Sequence, residues 1–288
     1  MTMPDGFVTQ PQTRTQLEAY LVSPTQAVLL TGPRGSGKFT LAVRLAEQAL
    51  DLAPGKFTDY GYGMIVRPED GKAIGIEAAR QLERFLSLKV PSKRSVNRAV
   101  IIDDGHLLTA EAQNALLKTL EEPPAGTILI LTASHGQALL PTIRSRVQSI
   151  AVRRPAQAAL IAHFRRNGFE EAQIKQAYAM GGGLPGLMQA LLSDDDHPLK
   201  AAAAQARQLL SQPLFERLIT VDALAKQREL AIDTVDILQQ MAHIGLQNAA
   251  GKAAERWQKI LTASYQAAEA LSTSGQLKLV LTNLALSF

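Results

Sequence analysis

The sequence predicts an α/β protein, with an N-terminal domain built on a parallel sheet and only helices after it. Three short runs of apolar and β-branched residues, 27–30, 99–102 and 127–131, are too short for helices and are typical of strands buried on both faces. Helical patterns between such runs indicate crossover connections, which make successive strands parallel. After Pro155 the strand runs stop and helical periodicity continues to the C-terminus. The sheet is therefore expected in the first half of the chain.

Length and composition predict more than one compact unit. The chain has 288 residues, of which 46% are hydrophobic, too many for one small core. The low aromatic content, 5%, and the many Ala, Leu and Gln residues favour helix. Two runs rich in turn-forming residues, 181–185 and 194–198, interrupt the C-terminal helical pattern. We therefore expect three domains: 1–155, 156–198 and 199–288.

Cysteine and histidine usage excludes two kinds of site. The chain has no cysteine, so disulfides and thiolate zinc sites are excluded. Its five histidines do not show the close spacing of metal ligands. The N-terminus lacks a basic segment followed by an apolar run, and no apolar stretch approaches about 18 residues. A cytoplasmic protein that does not span a membrane is expected.

The net charge points to a polyanionic partner only weakly. A formal charge of +4 is compatible with such a partner but is mild for a protein that grips DNA by itself. The densest basic stretch is 84–98, and we expect it to form a solvated helix end and loop. Its cations are Arg84, Lys89, Lys93, Arg94 and Arg98.

A glycine-rich phosphate loop is the most specific motif. Residues 32–38 fit the pattern GxxxxGK, directly after the predicted strand 27–30 and before the helical stretch 41–50. Glycines let backbone N–H groups wrap around phosphates, and the start of the helix favours negative charge. The candidate nucleotide-binding residues are Gly32, Gly35, Gly37 and Lys38, with Lys38 reaching the β and γ phosphates. The alternative is a glycine-rich turn of purely structural use.

The residue after the loop lysine does not suit magnesium. A Ser or Thr hydroxyl normally binds Mg²⁺ at this position, and here the residue is Phe39. Thr40 follows, but one step along a helix rotates the side chain by about 100°, so it is a poor substitute. Phe39 and Thr40 are retained as candidate residues of the nucleotide site. ATP or ADP is the cofactor that the loop would take, Mg²⁺ is expected only with nucleotide, and no metal ligand is assigned.

Two adjacent carboxylates complete the candidate site. The apolar run 99–102 leads directly into Asp103 and Asp104. Asp103 stands where an acidic residue would hold the metal through water, and Asp104 where a glutamate normally orients the attacking water. Aspartate is one methylene shorter, and a displacement of about 1 Å in such sites can cost on the order of a hundredfold in rate. The alternative is that both acids cap a turn.

Several segments resemble bacterial clamp-loader subunits of DNA polymerase III. The string TAEAQNALLKTLEEPP at 109–124 resembles the helix that follows the acidic Walker B strand in that family. LILTASH at 129–135 resembles the sensor-1 strand. LPTIRSRVQ at 140–148 looks like the Ser-Arg-Cys motif of the family with valine in place of cysteine. The segment 67–76 is similar to the delta-prime pattern, and the segment 276–286 is similar to the last collar helix of the family. The resemblance covers nearly the whole chain and is strongest over 27–150.

The resemblance implies a fold, partners and one further functional residue. The fold is that of AAA+ proteins: a phosphate-loop domain over 1–155, a helical lid over 156–198 and a helical collar for oligomerisation over 199–288. A delta-prime subunit assists ATP-dependent loading of a sliding clamp onto primer-template DNA during replication, in a hetero-pentamer with gamma/tau and delta-like subunits. It acts as a non-hydrolysing stator that presents an arginine to its neighbour. Here that arginine, the one catalytic candidate, is Arg146.

Departures from the family's motor subunits favour the stator over the motor. Phe39 and Asp104 alter two catalytic positions, and the turn 184–186 lacks the sensor-2 arginine of a motor subunit. The four-cysteine zinc module of the family is replaced by GKFTDYGYG at 55–63, so zinc is not expected. Val147 replaces the motif cysteine with another small apolar residue. We therefore expect no intrinsic ATPase activity.

Alternatives remain at the level of function and of single residues. The chain could be an active gamma/tau-like motor with unusual Mg²⁺ ligation; an unrelated P-loop kinase is disfavoured because nothing in 156–288 resembles an acceptor site. Arg146 could form an intramolecular salt bridge, and Arg144 is a surface or supporting residue. His106 and His135 are expected in turns or at helix edges rather than as catalysts.

Overall fold

The computed structural model describes residues 7–68, 73–91, 95–134, 139–193, 197–272 and 275–288. Within it the chain separates into two compact units, Met1–Arg154 and Pro155–Phe288. Some sequence predictions fall outside the described residues: Lys93, Arg94, His135, residues 69–72 of the segment 67–76, and residues 194–196 of the predicted break.

The first unit contains a five-stranded parallel sheet with the order β2-β3-β4-β1-β5. The strands are β1 (Ala27–Thr31), β2 (Gly63–Val66), β3 (Arg98–Ile102), β4 (Thr127–Ala133) and β5 (Gln148–Ala151). The three predicted strands are β1, β3 and β4, which occupy the centre of the sheet and are buried along most or all of their length. The predicted α/β fold is therefore confirmed, with two edge strands added.

Helices cover both faces of this sheet. They are α1 (Pro11–Val22), α2 (Lys38–Ala49), α3 (Ile76–Ser87), α4 (Ala110–Glu121) and α5 (Pro141–Arg144), with a 3-10 turn at Gly105–Leu107. One core lies under α1 and α2 and includes Leu17, Leu41 and Leu45; the other lies under α3 and α4 and includes Leu82 and Leu116. Burial on both faces explains why the central strands are continuous apolar runs rather than alternating ones.

The segment that stands in place of a zinc module is held by apolar packing and one buried carboxylate. The Phe57 side chain is 1% exposed and belongs to the core under α1 and α2. The backbone N–H of Phe57 donates to Oε1 of Glu47 at 3.3 Å, and Oε2 of Glu47 pairs with Arg44 at 2.8 Å. A Cβ atom on Gly63 would lie 3.1 Å from the Phe57 ring, so this strand start accepts only glycine without a shift. The phenyl ring thus anchors the segment to the sheet.

Arg98 overturns one expectation about the basic stretch 84–98. It is not solvated: the residue is 4% exposed, at the start of β3. Its guanidinium donates to three backbone carbonyl oxygens at the end of α3, those of Phe85, Leu86 and Leu88. A cation at this position hydrogen-bonds to carbonyls of the last helical turn and complements the negative end of the helix dipole. Arg98 therefore stabilises the helix end.

The second unit is helical throughout the part that the structure describes. Its helices are α6 (Gln157–Arg166), α7 (Glu171–Gly181), α8 (Pro185–Leu192), α9 (Pro198–Ser211), α10 (Leu214–Leu224), α11 (Arg228–Asn248), α12 (Lys252–Ser272) and α13 (Leu277–Leu286). Leu184 and Leu187 share one core with Leu199, Val235 and Leu281. The separation of a lid from a collar near residue 198 stays a prediction, because this core includes residues from both sides of it. Among the described helices, none combines the length and apolarity needed to cross a membrane.

We predict that Phe57→Ala lowers the free energy of unfolding by about 3–5 kcal/mol, because it leaves a cavity in a closed core. The measurement is urea-induced unfolding followed by far-UV circular dichroism. The matched control is Phe215→Ala, whose ring is 75% exposed and whose loss should change stability by less than about 0.5 kcal/mol. Equal effects of the two substitutions would contradict an anchoring role for Phe57.

Candidate phosphate-binding site

The loop after β1 has the backbone that its glycines predict. Gly35 and Gly37 have φ angles of 82° and 84°, a left-handed conformation that glycine adopts without steric cost. A Cβ atom on Gly32 would lie 2.7 Å from the carbonyl oxygen of Val152. Gly37 precedes α2, whose first turn has no side-chain cap, so backbone N–H groups remain available at this helix start. The geometry fits the cradle expected for phosphate.

Lys38 and Ser36 line the inside of this cradle. Lys38 is 7% exposed, and its Nζ donates to the carbonyl oxygens of Gly32 at 2.8 Å and Pro33 at 3.2 Å. Ser36 is 5% exposed, and its buried Oγ has no hydrogen-bond partner. The Oγ lies 3.2 Å from the position that a Cβ on Gly32 would occupy, so it faces the loop interior. These groups could donate to a bound phosphate.

Phe39 occupies the position of the magnesium ligand and stacks on an arginine. The guanidinium carbon of Arg67 lies 3.6 Å from the centre of the Phe39 ring. Thr40, the next residue, is exposed to solvent. A guanidinium over an aromatic face is attracted by the ring quadrupole. The magnesium position is therefore filled by an apolar ring beneath a cation.

Asp103 follows β3 and contacts both a hydroxyl and the same arginine. Thr132 Oγ1 donates to Asp103 Oδ1 at 2.6 Å, and Arg67 Nε lies 3.4 Å from Asp103 Oδ2. Burial raises the pKa of Asp103 above its ordinary value, and the charge of Asp104 acts in the same direction. The Thr132 hydrogen bond and the charges of Arg67 and Lys38 act against that rise. Both carboxylate oxygens thus have partners within the chain.

Asp104 lies at a left-handed turn beside the loop. Its φ and ψ angles are 49° and 46°, and its N–H donates to Thr132 Oγ1 at 3.0 Å. Its Oδ2 lies 4.0 Å from the guanidinium of Arg34, and its Oδ1 lies 3.9 Å from Nδ1 of His106. The Nε2 of His106 contacts Ser134 Oγ at 3.2 Å. Asp104 therefore lies near the guanidinium of Arg34 and the imidazole of His106.

The sequence pointed to the glycine loop and the two aspartates, and the structure brings them to one edge of the sheet. Sequence analysis did not identify Arg67 and Thr132 as residues of this site. Thr132 carried a signal, because it is one of two hydroxyl residues in the apolar strand TILILTA, and a buried hydroxyl usually has a hydrogen-bond partner. Arg67 carried none, since its place depends on the pairing of β2 with β3.

A nucleotide and a magnesium ion fit these residues differently. The glycine backbone, Ser36 and Lys38 suit a phosphate chain. Mg²⁺ needs oxygen ligands in near-octahedral geometry. The phenyl ring of Phe39 offers none, and the Asp103 carboxylate is engaged elsewhere. The site therefore suits phosphate and does not suit the metal.

Arg146 lies apart from the loop along the chain, in a turn after the short helix α5. Its NH2 pairs with Glu121 Oε1 at 2.6 Å, and its NH1 donates to the carbonyl oxygen of Thr142 at 3.0 Å. Arg144 is exposed, and Val147 is 9% exposed and belongs to the core under α3 and α4. An intramolecular ion pair is thus present at Arg146, and the pair is on the surface.

In the second unit, the turn before α8 is glycine-rich and lacks arginine. Gly182 and Gly183 have φ angles of 63° and 68°, and Leu184 is fully buried in the core. A Cβ on Gly183 would lie 3.0 Å from the Tyr178 ring. The positive φ angles explain the glycines at 182 and 183, and burial in the core explains the leucine at 184.

Comparison with known proteins identifies the family. The sequence model described as "DNA polymerase III, delta subunit" matches residues 10–156, just over half of the chain. The DNA polymerase III subunit delta′ of Pseudomonas aeruginosa is 30% identical over 216 residues, which cover 66% of this chain and 64% of that protein. The subunit gamma/tau of Mycobacterium bovis is 30% identical over 181 residues, covering 55% and 31%. The chain thus spans less than two thirds of the length of either relative.

A solved structure supports the fold. The DNA polymerase III gamma subunit-related protein from Thermotoga maritima aligns with a TM-score of 0.51 and 20% identity, covering 96% of this chain and 97% of that one. At this identity the likeness shows the fold alone. The family match and the delta′ relative lead to one conclusion: the chain belongs to the DNA polymerase III delta subunit family, as a clamp-loader subunit of the delta-prime type.

Proposed function

We propose that this chain is a non-hydrolysing stator of a cytoplasmic hetero-pentameric clamp loader, assisting ATP-dependent loading of a sliding clamp onto primer-template DNA. Its partners are gamma/tau and delta-like subunits. The family supports a clamp-loader subunit, and the site supports the loss of hydrolysis. The observation that carries the proposal is the stacking of Phe39 under Arg67, whose guanidinium also contacts Asp103. The ring at the magnesium-ligand position and the carboxylate that would hold the metal through water thus both contact a protein cation.

The alternative is a working motor subunit, which the gamma/tau relative favours. A motor needs a metal that bridges the β and γ phosphates and a carboxylate that orients water. The side chain of Asp104 is one methylene shorter than that of glutamate, and its carboxylate lies 4.0 Å from the guanidinium of Arg34. Both features favour the stator. The rate of ATP turnover by the purified chain separates the two functions.

We predict that the purified chain turns over ATP more than a hundredfold below about 1 per second, the lower end of ordinary enzyme rates. Phe39→Thr with Asp104→Glu should stay slow, because Arg67 still neutralises Asp103 and the turn 184–186 still lacks arginine. The measurement is phosphate release with and without primed DNA. DNA-stimulated turnover near 1 per second in the unmodified chain would favour the motor.

Arg146 is suited to act on a phosphate held by another subunit. Its guanidinium is exposed at a surface turn, and its internal partner Glu121 is also half-exposed. A surface ion pair of this kind contributes about 0–1 kcal/mol, so Arg146 can exchange Glu121 for a stronger anion at low cost. A guanidinium beside a transferring phosphoryl group stabilises the transition-state charge by orders of magnitude in rate. Glu121 would then hold the arginine in position until the neighbour binds.

We predict that Arg146→Ala lowers DNA-dependent ATP hydrolysis and clamp loading by the reconstituted complex by about tenfold or more. Folding should be nearly unchanged, since an exposed substitution shifts stability by about 0.5 kcal/mol or less. Arg146→Lys should rescue only in part, because ammonium lacks the planar fork of donors. Rates are measured at equal assembly, checked by gel filtration.

Two controls separate a role in trans from a structural one. Arg144→Ala removes the same charge two residues away and should leave the rates unchanged. Glu121→Gln breaks the internal pair while it keeps the guanidinium. If the pair with Glu121 were the whole role of Arg146, Glu121→Gln would reproduce the loss caused by Arg146→Ala, and the trans role would be wrong.

Exposed apolar residues on two packed helices support docking of a neighbouring subunit. Leu279 and Leu286 on α13 are 57% and 56% exposed, and Phe215 and Ile219 on α10 are 75% and 56% exposed. The helices run antiparallel. Lys278 at the start of α13 pairs with Asp222 near the end of α10 at 2.7 Å, whereas the carbonyl oxygen of Ala285 accepts from Arg217 near the start of α10 at 3.3 Å. This alignment brings Leu286 towards Phe215 and Leu279 towards Ile219. We name these four residues the α10–α13 surface.

The rest of α13 packs inside its own unit. Val280, Leu281 and Leu284 are buried in the helical core, and Leu277 packs against it. Removing the chain after residue 270 would therefore damage this core as well as the surface. Substitutions confined to exposed side chains test docking without that complication.

We predict that Ile219→Ser with Leu279→Ser weakens assembly with the other subunits by about tenfold or more, through lost apolar contact. The urea-unfolding midpoint should not move, since both side chains are exposed. Assembly is measured by gel filtration and by titration of labelled chain. Val22→Ser, which alters a 74% exposed valine in the first unit, is the matched control. Undiminished assembly of the double variant would exclude the α10–α13 surface as the docking site.

A further inference from the structure

The guanidinium of Arg67 lies where the phosphate loop, the substituted magnesium position and the acidic strand end meet. We infer that Arg67 supplies, from within the chain, the positive charge that Mg²⁺ supplies in metal-dependent phosphate loops, so that this pocket takes a di- or triphosphate chain in its metal-free form. This inference names the ligand of the proposed phosphate site. It rests on the proposed function because it takes that site to be non-hydrolytic.

Two contacts hold the arginine at this position. Its Nε lies 3.4 Å from Asp103 Oδ2, and its guanidinium carbon lies 3.6 Å from the centre of the Phe39 ring. Strand pairing sets the first contact: Val66 pairs with Ile102, and the N–H of Asp103 donates to Val66 O at 2.9 Å, so the next residue on each strand is a neighbour. Stacking keeps the guanidinium plane against the ring while its edges remain available as donors.

Phe39 and Arg67 exclude the metal by complementary means. The ring removes the hydroxyl ligand, and the guanidinium takes one oxygen of Asp103 while Thr132 takes the other at 2.6 Å. A divalent cation would have to displace Arg67 and would meet its like charge. Phe39 supports Arg67, so the pair acts as one replacement for the metal.

The phosphate cradle itself is intact. Gly35 and Gly37 keep the left-handed backbone, and α2 begins without a side-chain cap. Ser36 Oγ is buried, lacks a partner and faces the loop interior, which is a separate indication of an anion. Lys38 donates to loop carbonyls, and a phosphate oxygen can take the place of those acceptors. Metal-free polyphosphate carries more negative charge than its magnesium complex, and Lys38 and Arg67 together offset it.

The test is isothermal titration calorimetry of the full chain with ATP, once in EDTA and once in excess Mg²⁺. We expect binding in EDTA to be at least as tight as binding in Mg²⁺. Titrations with ADP and with pyrophosphate identify the source of the phosphate chain: equal affinities mean that the phosphates alone are bound, and tighter ADP means that the nucleoside contributes. No binding of any of these ligands in EDTA, or tightening by about tenfold on adding Mg²⁺, overturns the inference.

Variants test whether Arg67 is the cation responsible. Arg67→Ala should weaken ATP binding in EDTA by about tenfold, the loss expected for a charge-assisted contact to phosphate. Arg67→Lys should keep part of the affinity. Arg80→Ala removes an equal charge from an exposed position on α3 and should change nothing. If Arg67→Ala and Arg80→Ala bind alike, the inference fails.

A gain of metal dependence is the sharper result. In Phe39→Thr with Arg67→Ala, the hydroxyl returns and Asp103 loses its cation, so Mg²⁺ should now tighten ATP binding. Arg67 is half-exposed, so folding is expected to persist, and far-UV circular dichroism checks it. ATP binding that stays indifferent to Mg²⁺ in this double variant contradicts the exchange of arginine for metal. Failure of the stator proposal would appear separately, as turnover by the unmodified chain.

Discussion

Parallel pairing in the first unit is the constraint on which the site depends. Because β1, β2 and β3 run in one direction within a single sheet, the residues that follow them emerge at the same edge. The glycine loop, Arg67 and Asp103 are far apart in the sequence, and the sheet brings them together at this edge. A slip of one residue between β2 and β3 would turn Arg67 to the other face of the sheet and break its contact with Asp103. The geometry of the site therefore depends on the register of its strands.

A feature could be predicted from the sequence when the residues that determine it are close together along the chain. The glycine loop and the central strands β1, β3 and β4 are encoded within a few consecutive residues, so their patterns were sufficient. The edge strands β2 and β5 have four residues each: the apolar run of β2 is only three residues long, 64–66, and β5 exposes most of its side chains. Arg67 and Thr132 were missed because their partners lie far along the chain. Arg98 was misjudged because its burial depends on the end of α3, more than nine residues before it.

A carboxylate at a metal position needs another partner when no metal is bound. An acidic strand end without its cation would keep a buried carboxylate with poor solvation, which is costly. Here a hydroxyl and a guanidinium satisfy the two oxygens of Asp103. The ring of Phe39, which offers no metal ligand, also stacks on this guanidinium. One substitution and one arginine thus leave the edge of the sheet with its charges compensated.

The close approach of Gly32 to Val152 affects how the loop can change over evolutionary time. Any side chain at position 32 would collide with a backbone oxygen at 2.7 Å, so the fold itself opposes drift there. At Gly37 a side chain would meet no neighbouring atom, and only the backbone angle restrains the position. Selection for folding alone can therefore preserve part of the GxxxxGK signature. In a lineage that had abandoned catalysis, the first glycine would outlast the chemistry that first required it.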